Sequence, residues 1–232
     1  MTRTLIFFLG WIALTVMCGV LFLPALVSQR ATWAVSGVWA RITLCWLRIA
    51  CNIRSHVRGV EHLTPGAMIA SKHQSAWDTL MLWNTLGNPA FILKRGLYLI
   101  PIFGWYLARG GHIGIDRKAG RDAMRAIMEQ TPKLVAQGRS IVIFPEGTRM
   151  RRGQETTFRP GVARISKALQ LPVIPAALNA GSFWPKYTPI KYAGDAVLEF
   201  LPPVAPCGSD QQAWLNALQR SINTKTAELE TR

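Results

Sequence analysis

The chain opens on two long apolar stretches and then changes rhythm. No charge occurs from 5 to 27, and a helix of that length, rising about 1.5 Å per residue, would cover a bilayer core. A cleaved leader is the competing reading, with Arg3 as its positive flank. The run exceeds the usual leader core, however, and no small-x-small site follows it. Residues 31–53 form a second apolar stretch broken only by Arg41 and Arg48, which lie seven apart and so share one helical face. Spanning would carry Arg41 to mid-membrane at about 2.5–3.5 kcal/mol, so the pattern predicts a helix lying in the interface with both guanidinium groups among headgroups. Trp33, Trp39 and Trp46 suit that depth because an indole has an apolar body and a polar edge. A helix buried against the rest of the protein is the alternative.

Beyond 53 the apolar runs become short and punctuated. They predict strands at 68–71, 90–93, 112–115, 140–144, 172–177 and 196–201. Helical patterns fall between them at 76–86, 118–137, 160–170 and 209–229, with Pro132 a kink point in the second. Such alternation predicts an α/β fold: a mixed, largely parallel sheet flanked by helices, preceded by an N-terminal membrane-binding helical segment. Ligands of sheets of this kind sit beyond the carboxyl ends of the strands.

Composition narrows the partners. Of 232 residues, 27 are Lys or Arg and 12 are Asp or Glu, a formal charge of +15, yet only 17% are charged and 50% are hydrophobic. The apolar content excludes disorder, and four scattered cysteines without C-x-x-C spacing exclude a disulfide scaffold or a zinc ribbon. A chain both basic and oily points to a membrane surface rather than nucleic acid, for which no helix-turn-helix, RNA-binding motif or zinc-ligand spacing is present. Arg30, Arg41, Arg48, Arg54 and Arg58 outweigh Arg3 across the first apolar run. The body is therefore expected on the cytoplasmic side, whether that run spans or a hairpin dips into one leaflet.

The candidate chemistry lies at strand ends. His73 follows the 68–71 strand and Asp78 comes five residues later at a helix start. Five residues of unbroken helix would set the two side chains about 140° apart, so they meet only across a strand–turn–helix junction. An imidazole held by a carboxylate can take a proton from a hydroxyl near neutral pH. Taken alone, the pair reads more readily as a turn histidine beside a helix-start carboxylate. After the 140–144 strand come Glu146, Gly147, Thr148 and Arg149, with Arg151, Arg152 and Arg159 beyond. Gly permits close backbone approach, Thr offers a hydroxyl and Arg gives planar charge-assisted bonds, a set suited to phosphate. Lys94 and Arg95 add positive charge after another strand.

These segments together resemble the glycerophosphate and lysophospholipid acyltransferases, especially the bacterial 1-acylglycerol-3-phosphate acyltransferases. The resemblance runs over about 65–185 and takes in four blocks: His73-x4-Asp78, 94–105 (KRGLYLIPIFGW), 144–149 (FPEGTR) and 171–175 (LPVIP). Lys72 stands where many members have Asn, and Gly96 where many have Glu. The resemblance implies an anchor over 1–53 and an acyltransferase domain over 54–232. It also implies acyl transfer from a thioester, acyl-CoA or acyl carrier protein, to the sn-2 hydroxyl of lysophosphatidic acid, without metal or prosthetic group. His73 would be the base and Asp78 its orienting partner. Lys94, Glu146, Gly147, Thr148 and Arg149 would hold the acceptor, and 97–105 with 172–175 would shape the acyl site. The implied location is the cytoplasmic face of a bacterial inner membrane, among membrane lipids. A different acceptor, a lyso-aminolipid or glycerol 3-phosphate, stays open through Gly96. An acyl-enzyme on Ser75 and a non-catalytic lipid-binding protein are further alternatives.

Overall fold

A computed structural model of the chain describes residues 1–116 and 119–231. Its strands are β1 (Ile53–Arg58), β2 (Met68–Ser71), β3 (Ala90–Lys94), β4 (Ile113–Ile115), β5 (Ile141–Ile143), β6 (Val173–Leu178) and β7 (Gly194–Phe200). They form one sheet in the order β1-β7-β6-β2-β5-β3-β4. The five strands from β6 to β4 are mutually parallel. β7 runs antiparallel to β6, and β1 follows β7 in parallel. The mixed, largely parallel sheet read from the sequence is thus the observed one, and the parallel strands all open their carboxyl ends on one edge.

All six predicted strands are present, and β1 is the addition. Its Ile53 is buried while Arg54, His56 and Arg58 alternate toward solvent, and those charges hid it from an apolar-run search. They meet the neighbouring strand: Arg54 Nη2 lies 2.8 Å and His56 Nε2 2.7 Å from the Asp195 carboxylate. These exposed pairs are screened by solvent and add little stability, but they charge an edge strand that would otherwise invite pairing with another chain.

Helices cover both faces. α1 (Thr2–Leu21), α2 (Gln29–Cys51) and α3 (Trp77–Leu86) pack on the face carrying Ile69, Val142, Ile174 and Leu198. α5 (Gly120–Ala136), α6 (Gly161–Leu169) and α7 (Gln211–Glu230) cover Met68, Ala70, Ile92, Ile141 and Val173. Successive residues of β2 thus enter opposite cores, which is why that strand reads as an unbroken apolar run. The helix predicted at 118–137 appears as α5 and continues through Pro132; its first position, Lys118, lies outside the described residues. A short helix that begins at the end of the second block, α4 (Phe103–Arg109), has no counterpart among the predicted elements. Pro101 and the left-handed Ile102 that introduce it obscure its period.

The apolar run from 5 to 27 is not one helix. α1 ends at Leu21, and Pro24 sits in a 3-10 turn over Leu23–Val27 that reverses the chain into α2. The result is a hairpin lying along the body. At its base Thr4 Oγ1 accepts from Lys191 N at 3.1 Å, and Phe7 meets Trp184 edge-on at 5.1 Å. Near its tip the Tyr106 hydroxyl donates to Gly19 O, and Arg109 donates to Val27 O. The outward stripe Leu5, Leu9, Ile12, Val16 and Val20 is exposed at the spacing of one helical face.

The three indoles of α2, half-buried, turn their N–H groups into the protein. Trp33 Nε1 donates to Gly110 O at 2.9 Å, Trp39 Nε1 to Thr15 Oγ1 at 3.1 Å and Trp46 Nε1 to Phe7 O at 3.1 Å. Each polar edge is satisfied inside the protein, so these rings fasten α2 to α1 and α4, the alternative that the helical spacing had left open. Arg41 and Arg48 are exposed.

A buried polar knot closes the edge of the sheet beneath Trp33. His112 Nδ1 accepts from Phe91 N at 3.2 Å. Burial, reinforced by the neighbouring Arg139 charge, lowers its pKa to about 3. In the unfolded chain the same ring titrates near 6.5, so between these values unfolding takes up a proton and stability falls as pH drops. The slope is at most about 1.4 kcal/mol per pH unit. His112→Asn keeps an acceptor for Phe91 N and removes the titration. Urea midpoints at pH 7 and pH 5 are expected to differ less in this variant than in wild type; equal differences would refute the assignment.

Candidate active site

The junction between β2 and α3 supplies the turn that the His73–Asp78 spacing demands. Asp78 sits in the first turn of α3, fully buried, where a carboxylate also meets the positive end of the helix. Its Oδ2 lies 3.0 Å from His73 Nδ1 and accepts from Gln74 N at 2.6 Å and Ser75 N at 2.8 Å. One oxygen thereby shapes the turn and holds the imidazole. Phe144 stacks on one face of the ring, with centroids 3.9 Å apart and planes 19° from parallel. Ser75 caps the same turn: its Oγ accepts from Trp77 N at 3.2 Å, and the residue is 1% exposed.

After β5 the chain makes a tight turn. Gly147 N donates to Phe144 O at 2.9 Å, and Gly147 has φ 71°, in the left-handed region. The backbone there favours glycine, and the Arg159 guanidinium lies over it in the space a Cβ would take. Glu146 points inward with no exposed side-chain surface. Its Oε1 is 2.7 Å from Lys72 Nζ, and its Oε2 accepts from His73 N at 2.9 Å. Burial raises the Glu146 pKa, opposed chiefly by the Lys72 charge. The resemblance implies an acceptor contact for Glu146, whereas its carboxylate is engaged inside the protein on the backbone of His73.

A cavity of about 310 Å³ collects His73, Lys94 and Arg149, a size at the lower end for ligand pockets. Leu93, Leu97, Phe103, Leu107 and Phe144 line it, as do Cys18 and Gly19 of α1 and Trp39 of α2. Gly147, Thr148 and Glu146 lie outside this lining, and so does Ser75. The hairpin therefore forms part of the cavity wall, a role with no signal in a sequence where its apolar residues look like any membrane helix. At Gly19 a Cβ would strike Ile102, so glycine lets α1 close onto the start of α4. Ile102 itself has φ 63°, a conformation that is rare for a β-branched residue.

Lys186 is another residue that the sequence did not single out. Its Nζ donates to Arg149 O at 2.6 Å and to Thr148 Oγ1 at 3.3 Å, and it lies 4.1 Å from the centroid of the Tyr187 ring. Its only sequence signal is its place beyond the carboxyl end of β6. No group of three His, Cys, Asp or Glu with metal-binding geometry occurs among the described residues.

A histidine–carboxylate pair and two cations beside an apolar cavity, at the carboxyl edge of a mixed α/β sheet, make a site suited to group transfer on an anionic substrate with an apolar chain. Residues 54–179 match the family described as Acyltransferase, and the chain belongs to that family. It is 34% identical over 223 residues to the 1-acyl-sn-glycerol-3-phosphate acyltransferase of Pseudomonas aeruginosa, covering 94% of this chain and 87% of the relative. Identity to the human 1-acyl-sn-glycerol-3-phosphate acyltransferase alpha is 30% over 198 residues, 82% of this chain and 70% of the human protein. The fold matches the crystal structure of the 1-acyl-sn-glycerophosphate (LPA) acyltransferase PlsC from Thermotoga maritima. The TM-score is 0.80 at 22% identity, over 99% of this chain and 95% of that one.

Proposed function

We propose that this chain transfers a fatty acyl group from a thioester to the sn-2 hydroxyl of 1-acylglycerol 3-phosphate, forming phosphatidic acid. The observation that carries the reading is the single cavity on which His73, Lys94 and Arg149 meet an apolar lining. A lysophosphatidic acid presents the same three features: a hydroxyl to deprotonate, a phosphate and an alkyl chain. The activity of the Pseudomonas and human relatives supports the same reaction.

In this mechanism Asp78 holds His73 Nδ1 as a donor, leaving Nε2 as the basic nitrogen. Nε2 takes the sn-2 hydroxyl proton as the oxygen attacks the thioester carbonyl. Collapse of the tetrahedral adduct breaks the C–S bond, forms the ester and returns the proton from the imidazolium to the departing thiolate. Free carrier thiol and a neutral histidine remain, with no metal or prosthetic group taking part. Glu146 acts by holding the His73 backbone, while Gly147 and Thr148 shape the turn that presents Arg149. Lys94 and Arg149 bind the acceptor phosphate. The donor is acyl-CoA or acyl carrier protein.

Membrane association follows from the hairpin. Both of its helices are long and apolar enough to cross a membrane, but their contacts with the body at base and tip favour insertion of the outward stripe into one leaflet. The net positive charge then draws the body to anionic lipid on the cytoplasmic face of the inner membrane. Substrate and product keep their chains in the bilayer throughout.

The purified full chain, offered lysophosphatidic acid, other lyso-lipids and glycerol 3-phosphate with acyl-CoA and then with acyl carrier protein, is expected to yield phosphatidic acid by mass. Absence of any acylated product with both donors would refute the reading. Arg149→Ala is expected to raise the acceptor KM about 10- to 100-fold, the worth of a charge-assisted hydrogen bond, with little change in kcat. A fall in kcat at unchanged KM would remove Arg149 from acceptor binding.

A further inference from the structure

The loop that carries His73 is held from beneath by residues far away in the chain. Lys72 is 2% exposed; its Nζ donates to Asn223 Oδ1 at 3.0 Å and pairs with Glu146 Oε1 at 2.7 Å. On the other side of His73, Gln74 is fully buried. Its Nε2 donates to Glu230 Oε1 at 2.7 Å, and its Oε1 accepts from Gly181 N at 2.9 Å. Asn223 and Glu230 are seven residues apart on α7, two turns along one face. The helix is pinned where it makes these contacts, because Asn179 Nδ2 donates to Leu229 O at 3.0 Å and Arg152 Nη2 to Glu230 O at 2.6 Å.

We infer that α7 positions the active-site loop, with Asn223 and Glu230 acting on His73 through its two sequence neighbours, Lys72 and Gln74. The inference rests on the reading of His73 as the base. A buried ammonium has three donors and tolerates few unsatisfied ones, so the place of Lys72 is set by the two acceptors that meet it. Glu146 bridges that ammonium and the His73 amide, and thus a shift of Lys72 reaches the peptide bearing the imidazole. Gln74 cannot move without abandoning Glu230 or Gly181, and its amide is one of the donors that orient Asp78. The ring and its carboxylate are in this way located from both sides of His73 by one helical stripe. That stripe lies outside the 54–179 family match, and neither residue belongs to the four sequence blocks. Asn223 and Glu230 touch neither the cavity nor the reacting atoms; they are positioning residues.

The test compares Asn223→Leu and Glu230→Ala with the conservative Asn223→Asp and Glu230→Gln, each as the full chain, and with His73→Ala alongside. A displacement of about 1 Å at a base is worth up to about 100-fold in rate. Asn223→Leu and Glu230→Ala are therefore expected to lose about 10- to 100-fold in kcat with both substrate KM values unchanged. The acid limb of their kcat–pH profile should move to lower pH, because an imidazole drawn from Asp78 holds its proton less tightly. Asn223→Asp and Glu230→Gln each retain the accepting oxygen and should restore most of the rate and the wild-type limb. Wild-type kcat and limb in Glu230→Ala, in the last turn of α7, would overturn the inference even if Asn223→Leu fails to fold. An active His73→Ala would instead remove the base, and the inference with it; an inactive His73→Ala beside an unaffected Glu230→Ala would defeat the inference alone.

Discussion

His73→Ala is expected to lower kcat by about 10²- to 10⁴-fold, the range a positioned general base contributes, with a thermal midpoint near that of wild type. The ring makes few contacts that the fold needs. Asp78 keeps its bonds from Gln74 N and Ser75 N, and Glu146 keeps the His73 amide, which survives the substitution. What disappears is the imidazole that Asp78 holds at the cavity wall. Asp78→Asn is the companion measurement, because an amide keeps one accepting oxygen for the turn but offers N–H in place of a carboxylate. Its kcat should fall as well, through the wrong tautomer of His73. Initial rates with lysophosphatidic acid and acyl-CoA, together with circular dichroism melts, separate loss of chemistry from loss of fold. His73→Ala activity within a factor of a few of wild type would end the assignment.

Arg139→Ala is expected to be the most destabilising single change in the chain. Arg139 is fully buried, and its guanidinium donates to Asn88 O, Pro89 O, Gly110 O and Gly111 O at 2.9 to 3.1 Å. It also lies 4.8 Å from the centroid of the Trp33 ring. Burial lowers its pKa to about 10, so it stays charged at neutral pH. One planar fork thus joins the loop before β3, the loop before β4 and the helical hairpin. Gly110 O keeps its Trp33 donor in the variant, but Asn88 O, Pro89 O and Gly111 O lose theirs; each carbonyl left buried without a donor costs about 1–3 kcal/mol, and a domain has only about 5–15 kcal/mol to lose. A loss of more than about 3 kcal/mol is expected in urea unfolding of the full chain in mild detergent. Arg139→Lys should recover little of it, since a single ammonium cannot reach four carbonyls spread around a plane. A midpoint equal to that of wild type would show that these bonds carry no net stability.

How much of this was legible along the chain depended on whether a residue's partner was nearby. The central strands announced themselves because burial on both faces leaves an unbroken apolar run, as in β6. β1 escaped because its alternation is masked by Arg54, His56 and Arg58, whose meaning is set by Asp195 and Glu199 on a strand far off in sequence. The second block read as a continuous apolar stretch, whereas Pro101 and a left-handed Ile102 turn it into a separate helix. The tryptophans of α2 carry the same side chains whether they meet headgroups or protein. Only the positions of Gly110, Thr15 and Phe7 decided the matter.

The sequence by itself determined the class of fold, the order of its six central strands and the helices between them, the apolar and basic character of the chain, and the candidate residues for the chemistry. Those properties are local: periodicity, turn residues and side-chain type require no knowledge of distant neighbours. The tertiary structure decided which groups meet. It turned Glu146 inward onto the His73 amide and brought α1 and α2 into the cavity wall. It also set Arg139 among four carbonyls and placed Asn223 and Glu230 beneath a loop about 150 residues earlier in the chain. A hydrogen bond is satisfied or lost within a few tenths of an ångström, and such contacts between distant residues leave no period or motif in a single sequence.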